Sequence, residues 1–573
     1  MSNTTDSTAS TRRVRTIADV AADPFISVAD AVRALNDVAD RGIWADGEFT
    51  PWSQAVDEIA VRIAALREVM TSSSSSSNNP GARPAHAHVG VLMAGTPEYL
   101  HLLGAAACSE LVVAGLNPTR RGAALLRDAT LADCAVILTD SANEPLLDGL
   151  DPGVPVISVD SPEWAVLLDR HADTSLPDPA TVPTGPDDLV ALVFTSGTSG
   201  DPKAVRITQF KISVPSRMLA ERFGMGPDDC VYSAMPLFHS NAVMVAWPMS
   251  LFAQCSIAQR RHFSASGWLA DVRRYSCTFA NYVGAPLSYI LATAERDDDA
   301  QNPMRVVYGN EAPADVRHEF ARRFGVTVVD GFGSSEGGLS ITRTPDTPDA
   351  ALGPLPAGVR IIDVETGAEC SRAHFSADGA LVNADEAVGE LVADGPGLFA
   401  GYWGDPAADA ERMRGGRFHT GDLAYVDDDE FVYFAGRSGG WMRVDGENLA
   451  AAPIERILRR HPDVAEVGVY AVPADAVRGP GAIGDAVAAA IVLGGGDGVA
   501  GSREDVVSEF GEFLAAQPDL GPKQWPSLLR VTSALPRTAS FKFRARDLVD
   551  RGTEPAGDDV WVRVHGSQEY ARA

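Results

Sequence analysis

The chain has 573 residues, too many for one hydrophobic core, so two or more domains are expected. Apolar residues make up 45 % and charged residues 22 %, the balance of a folded globular protein and not of a disordered or membrane chain. The formal net charge of −29 repels nucleic-acid phosphates and anionic lipid headgroups, which excludes nucleic acid as an expected partner and leaves any anion-binding site to gather its cations locally.

Met1 to Arg15 is polar, and no apolar region follows Arg12-Arg13, so export is not expected and a cytoplasmic location is. Thr50-Pro51 opens a helix in which Ile59, Ile63, Leu66 and Met70 form one buried stripe. The run Ser72 to Ser77, with Asn78, Asn79 and Pro80, reads as a surface loop. His88 to Met93, Ala135 to Thr139 and Leu189 to Thr195 are short apolar runs between helical patterns, as in parallel strands with crossover helices. The apolar stretch Val89 to Gly115 is broken by Glu98, His101 and Glu110, so it predicts no membrane span. Cys108, Cys134, Cys230, Cys255, Cys277 and Cys370 are scattered without a CxxC pair, which points to free buried thiols. Beyond Gly436 the pattern becomes a compact α+β unit. Helices are expected over Pro453 to Arg460 and Arg503 to Ala516, and strands over Val467 to Val472 and Ala486 to Leu493. Leu493-Gly-Gly-Gly-Asp497 reads as a loop after a strand, since Gly498 stands where a carrier's modified serine would be needed.

Three segments carry chemistry. Phe194-Thr-Ser-Gly-Thr-Ser-Gly-Asp-Pro-Lys203 offers small-residue amides, hydroxyls and a lysine, a nest for triphosphate oxygens. It is not a Walker loop, because Lys203 does not directly follow the second glycine and Ala204 comes after it. In Asp330-Gly-Phe-Gly-Ser-Ser-Glu336, after the apolar run Val326 to Val329, the aromatic can stack on a base and the last carboxylate can hold Mg²⁺. In Gly415-Gly-Arg-Phe-His-Thr-Gly-Asp422 the aspartate can take two ribose hydroxyls. Either of the last two segments, taken alone, is more often a plain turn.

In this order and spacing the three resemble the core motifs of the adenylate-forming superfamily of acyl-CoA synthetases, luciferases and peptide-synthetase adenylation domains, from about Trp44 to Leu548. Tyr308-Gly-Asn-Glu-Ala-Pro313, Arg443 to Asn448 and Thr538-Ala-Ser-Phe-Lys542 resemble the fatty acid transport protein and actinobacterial long-chain acyl-CoA ligase branch. The resemblance implies an α/β fold: a large N-terminal domain of packed β-sheets and helices over 1–436, a hinge over 437–440, and a small mobile α+β domain over 441–573. It implies that Thr195, Ser196, Gly197, Thr198, Gly200 and Lys203 hold the pyrophosphate end of ATP. Gly309, Asn310, Glu311 and Asp330 would border adenine, with Phe332 and Gly333 against it. Ser335 would touch the α-phosphate, Glu336 would bind Mg²⁺, and Asp422 and Arg437 would hold the ribose and its phosphate. His239, in Met235-Pro-Leu-Phe-His-Ser240, would sit beside the acyl pocket, and Lys542 would reach the carboxylate and the α-phosphate as the catalytic lysine.

The implied reaction joins a hydrophobic carboxylic acid, long-chain or bulky and terpenoid, to CoA through an acyl-AMP, with ATP and Mg²⁺; a homodimer is compatible with it. Loading of a carrier protein and non-catalytic binding of an acyl nucleotide are the alternatives. Two departures bear on the delivery of Lys542: Phe541 replaces the usual glycine, and Gly439-Gly440 replace acids at the hinge. Adenylation is therefore expected to be the weaker half, with thioester formation from ready acyl-AMP the faster.

Overall fold

The computed structural model describes residues 17–74, 87–182, 184–196, 202–376, 381–437, 442–444, 447–449, 451–479, 482, 484–494, 503–517, 520–538, 543–564 and 567–573. Two sheets dominate the larger part. One has six strands in the order Val156–Ser158, Cys134–Thr139, Ala87–Leu92, Leu111–Gly115, Leu189–Ser196, Pro202–Thr208. All its pairings are parallel except the last, where Pro202–Thr208 folds back on Leu189–Ser196. The other has eight strands: Ser340–Thr342, Thr327–Gly333, Val306–Asn310, Phe279–Val283, Cys230–Ser233, Ser256–Gln259, Gly42–Ala45 and Glu48–Pro51. Its inner pairings are parallel and both of its end pairings antiparallel. Parallel strands are covered on both faces, which is why runs such as Val89 to Leu92 are apolar without alternation.

The largest core cluster lies between these sheets. It takes Val89, Val91 and Val113 from the first and Val231, Ile257 and Phe279 from the second, with helices Trp52–Ser74 and Pro97–Ala107. In the first helix Ile59, Ile63 and Leu66 are buried, as their spacing requires, and Met70 is half-buried against the same core. This helix runs on through Ser72–Ser74, where the serine run reads as loop. Thr71 and Ser72 donate their hydroxyls to the carbonyls of Arg67 and Glu68, one turn back, which keeps the last turn supplied with bonds. Helix Pro97–Ala107 starts where Thr96 accepts from the Tyr99 N–H and Pro97 takes the first position. The stretch Val89 to Gly115 is thus strand, helix and strand. Among the described residues no helix is long and apolar enough to cross a membrane. The six cysteines are free thiols, five of them buried and Cys370 half-buried.

A third, antiparallel sheet carries the strands Gly389–Asp394, Arg417–Val426 and Phe431–Arg437. From Met442 onward a further core forms around a sheet ordered Val464–Pro473, Asp485–Leu493, Leu528–Val531, Asp559–Arg563, Tyr570–Arg572. Helices Ala451–Leu458 and Arg503–Ala515 contribute Ile454, Ile457, Leu458, Val507, Phe510 and Leu514 to that core.

Candidate functional site

Parallel strands leave their carboxyl ends on one edge of a sheet, and the connections there make the natural crevice of an α/β fold. All three sequence motifs reach such an edge or the sheet beside it. The strand Leu189–Ser196 ends in the first motif and returns as Pro202–Thr208, with Thr195 opposite Lys203 and Ser196 opposite Pro202. Gly197, Thr198 and Gly200 lie outside the described residues. The Lys203 ammonium sits 5.3 Å from the centre of the Tyr402 ring and 3.5 Å from the Glu411 carboxylate. Glu411 is 75 % exposed, so this ion pair is weak and readily exchanged for another anion.

Tyr402 turns its hydroxyl the other way. It donates to Glu336 Oε1 at 3.0 Å and accepts from Arg412 Nε at 3.1 Å. Glu336 is buried in the turn that follows strand Thr327–Gly333. Burial alone raises its pKa; the Arg412 charge and hydrogen bonds from its own backbone, Ser334 and Tyr402 outweigh this and hold the carboxyl below its ordinary value. Arg412 also donates to the carbonyls of His419 and Thr420, at 3.0 and 2.6 Å, within the strand that carries Asp422. Asp422 is buried, its N–H donates to Thr420 Oγ1 at 3.0 Å, and its backbone pairs with that of Arg437. The register slips just beyond it, between Leu423 and Ala424, a bulge of the kind that re-aims a side chain at a cleft. Gly415 and Gly416 do form a turn, with φ 58° and 76°, and from Arg417 the segment is a strand whose Phe418, Leu423 and Ala424 are core residues.

On the far side of Glu336 lies a second group. The motif Asp330-Gly-Phe-Gly is itself strand, paired to Gly309 on one side and Ile341 on the other. Gly309 is obligatory there: a Cβ would fall 2.2 Å from the Tyr282 carbonyl on the next strand. Asp330 Oδ1 accepts from Tyr282 Oη at 2.6 Å and from the Ala312 N–H at 3.2 Å. Burial pushes the carboxyl up to about 6 against the pull of those two bonds. Asn310 Nδ2 donates to the Gly331 carbonyl at 2.6 Å, and Glu311 follows with φ 68° and an exposed side chain. Phe332 is half-buried, with its ring 6.1 Å from that of Phe434; Gly333 is exposed.

His239 is half-buried, its ring centre 4.4 Å from that of Phe238. Its neighbour Ser240 shares a hydrogen bond of 2.7 Å with Ser335, which ties the histidine segment to the Glu336 turn. A π-helical turn, Ala242–Ala246, and the buried Trp247 follow. Such turns are frequent at functional sites. Lys542, Phe541 and the hinge residues Ser438, Gly439 and Gly440 lie outside the described residues, so the structure does not locate the lysine relative to the cleft.

The residues present suit magnesium in one particular way. Among the described residues no three His, Cys, Asp or Glu side chains are grouped to hold a metal. A single carboxylate, Glu336, fits a hard cation that brings most of its oxygen ligands as phosphate and water. Sequence reasoning missed Tyr402, Arg412 and Tyr282, which reach the site only through tertiary contacts, and gives Ser240, the last residue of the His239 segment, no role of its own. The one available signal was the Gly401-Tyr-Trp403 triplet, an aromatic pair after a glycine-rich run.

Two family models match the chain: "AMP-binding enzyme" over residues 80–403 and "AMP-binding enzyme C-terminal domain" over 453–542. The medium/long-chain-fatty-acid–CoA ligase FadD17 of Mycobacterium marinum is 49 % identical over 543 residues, covering 95 % of this chain and 99 % of the relative. The steroid-22-oyl-CoA synthetase of Rhodococcus jostii is 43 % identical over 81 % of this chain and 82 % of its own. Among solved structures, ATP-bound MatB from Rhodopseudomonas palustris superposes with a TM-score of 0.74 at 24 % identity, over 92 % of this chain and 99 % of that one. The anthranilate CoA ligase AuaEII, in complex with anthranoyl-AMP, gives 0.76 at 17 %, over 95 % and 100 %. These two likenesses establish the fold.

Proposed function

Because the chain belongs to the AMP-binding enzyme family and is an ATP-dependent acyl-CoA ligase for hydrophobic acids, we propose that it makes the acyl-AMP of a long-chain or bulky cyclic acid in one cleft and then passes the acyl group to CoA. The observation that carries this reading is the chain of contacts through Tyr402, which joins Lys203, Glu336 and, by way of Arg412, the strand of Asp422. In this reading three segments far apart in sequence supply the cation, the metal carboxylate and, on the strand that Arg412 holds, the ribose carboxylate.

In this reading Thr195 and Lys203 receive the β- and γ-phosphates, Lys203 leaving the exposed Glu411 for them. Gly309, Asn310 and Asp330 line the adenine edge, with Phe332 beside it, and Asp422 and Arg437 take the ribose. Glu336 and the phosphates would hold magnesium, which neutralises charge on the oxygens being separated. Ser335, fixed by Ser240, faces the α-phosphate, and His239 borders the acyl group. The role assigned to Lys542 is to come between two anions, the substrate carboxylate and the α-phosphate. It offsets the repulsion that keeps a carboxylate oxygen from phosphorus. Adenylation gives the acid a leaving group, and rotation of the domain from 441 onward then admits the thiol.

The test is a panel of acids scored separately for pyrophosphate release and for thioester. Medium to long alkyl acids and sterol side-chain acids should support both. The variant Glu336→Gln should lose pyrophosphate release by at least about 100-fold while still converting supplied acyl-AMP and CoA to thioester. Undiminished pyrophosphate release by the folded variant would remove Glu336 from the metal site. Thioester on a carrier protein but not on CoA would replace the acceptor.

A further inference from the structure

Lys211 has no part in the chemistry above, yet its side chain is fully buried beside the cleft. It stands in the first turn of helix Gln209–Phe223, whose cap, Thr208, accepts from the Lys211 N–H. Its ammonium donates to the carbonyl of Glu336 at 2.8 Å and to that of Arg206 at 3.4 Å. Arg206 belongs to Pro202–Thr208, the strand that starts beside Lys203. The lysine stem passes under the turn closed by the Gly337 N–H on the Ser334 carbonyl. Gly337 has φ 71°, and a Cβ there would lie 3.2 Å from Lys211 Cε, so the glycine leaves the stem its path. Burial pushes the ammonium down to about 7, with the Glu336 charge pulling it back. A methionine of similar length would fill that space without the desolvation cost but would give neither carbonyl a donor, so what the lysine adds there is its two bonds.

We propose that Lys211 is a positioning residue that sets the spacing between the phosphate-binding hairpin and Glu336, and through it the affinity for magnesium-bound ATP. The inference rests on the reading of Glu336 as the metal carboxylate. It separates position from charge, because the two predict opposite signs. Acting only through its charge, the ammonium would compete with Mg²⁺ for Glu336, and its removal would tighten the metal. Acting by position, its removal frees the Glu336 carbonyl and weakens the metal, by the tenfold or so typical of groups that orient a metal ligand.

The experiment compares Lys211→Met, Lys211→Gln and Glu336→Gln with the parent in the full chain. Calorimetry with α,β-methylene-ATP, with and without Mg²⁺, gives the metal-dependent gain in affinity. An acyl sulfamoyl adenosine titrated without Mg²⁺ reports the rest of the cleft. Lys211→Met should remain folded, bind the sulfamate unchanged, and lose roughly tenfold of the Mg²⁺-dependent gain. Should Lys211→Met fail to fold, Lys211→Gln carries the same expectation. An undiminished or larger Mg²⁺-dependent gain in the folded lysine variants, with Glu336→Gln impaired, overturns the inference. Parallel loss of sulfamate binding overturns it too, since that marks general damage. If Glu336→Gln itself keeps the full Mg²⁺-dependent gain, the reading of Glu336 fails and this inference fails with it.

Discussion

At the scale of single residues, Asp330 gives the site a pH dependence whose sign can be worked out. Its folded pKa, about 6, lies above the ordinary 3.8 because burial outweighs the bonds from Tyr282 and Ala312. The folded protein therefore holds that proton more tightly than the unfolded chain. The stabilisation is complete below about pH 4 and is lost as pH rises through about 6. A shift of this size is worth at most about 3 kcal/mol, and less here because the carboxyl keeps some contact with solvent. Asp330→Asn retains the oxygen that Tyr282 and Ala312 address and cannot ionise. Chemical denaturation should find the variant no better than the parent at pH 4 and more stable at pH 8. Equal pH profiles would show that Asp330 stays solvated.

At the scale of elements, the closeness of two strands is set by a missing side chain. Phe279–Val283 and Val306–Asn310 pair in parallel, and at Gly309 the neighbouring carbonyl occupies the space of a Cβ. Gly309→Ala must therefore spread the strands. It should cost about 1–3 kcal/mol, as overpacking does, and should weaken ATP binding because Asn310 and Asp330 move with them. A denaturant midpoint and an ATP titration check both. Much of this architecture is legible in the sequence. The apolar runs at His88, Ala135 and Leu189 declare themselves because parallel strands bury both faces, and the stripe from Ile59 to Leu66 declares a helix. The motif bounds are less legible. Asp330-Gly-Phe-Gly and Arg-Phe-His-Thr-Gly-Asp422 look like turns because glycine usually marks one, whereas both run in strands. Tyr402, Arg412 and Lys211 carry no local pattern, since each is brought to Glu336 from 66 to 125 positions away. The serine run hides the end of its helix because hydroxyls bonding back to carbonyls leave no mark in composition.

At the scale of the whole molecule, the proposed two half-reactions would be related through the chain from 437 onward. On the proposal that 437–440 is the hinge and Lys542 the catalytic lysine, two glycines and Phe541 would restrain that lysine less, and a misplacement of ~1 Å costs on the order of 100-fold. Synthetic acyl-AMP with CoA should then give thioester faster than acid, ATP and CoA, and Gly440→Asp should narrow the gap. Equal rates from both starting points, with chemistry limiting, would leave an ordinary two-step ligase. The junction at Tyr402 has its own consequence, and it concerns time. Lys203 comes from the six-stranded sheet, Glu336 follows a strand of the eight-stranded sheet, and Tyr402 and Arg412 lie between two strands of the third. Each sheet can form its own ladder before it docks on the others, but this junction exists only after all three have met. Contacts between segments so distant in sequence close late. On refolding from denaturant, far-ultraviolet dichroism should recover first, and capture of a fluorescent ATP analogue should follow in a slower phase. In Tyr402→Phe that final phase should lose amplitude while the earlier ones keep their rates. During the interval between them, the protein would have its secondary structure and no working nucleotide site.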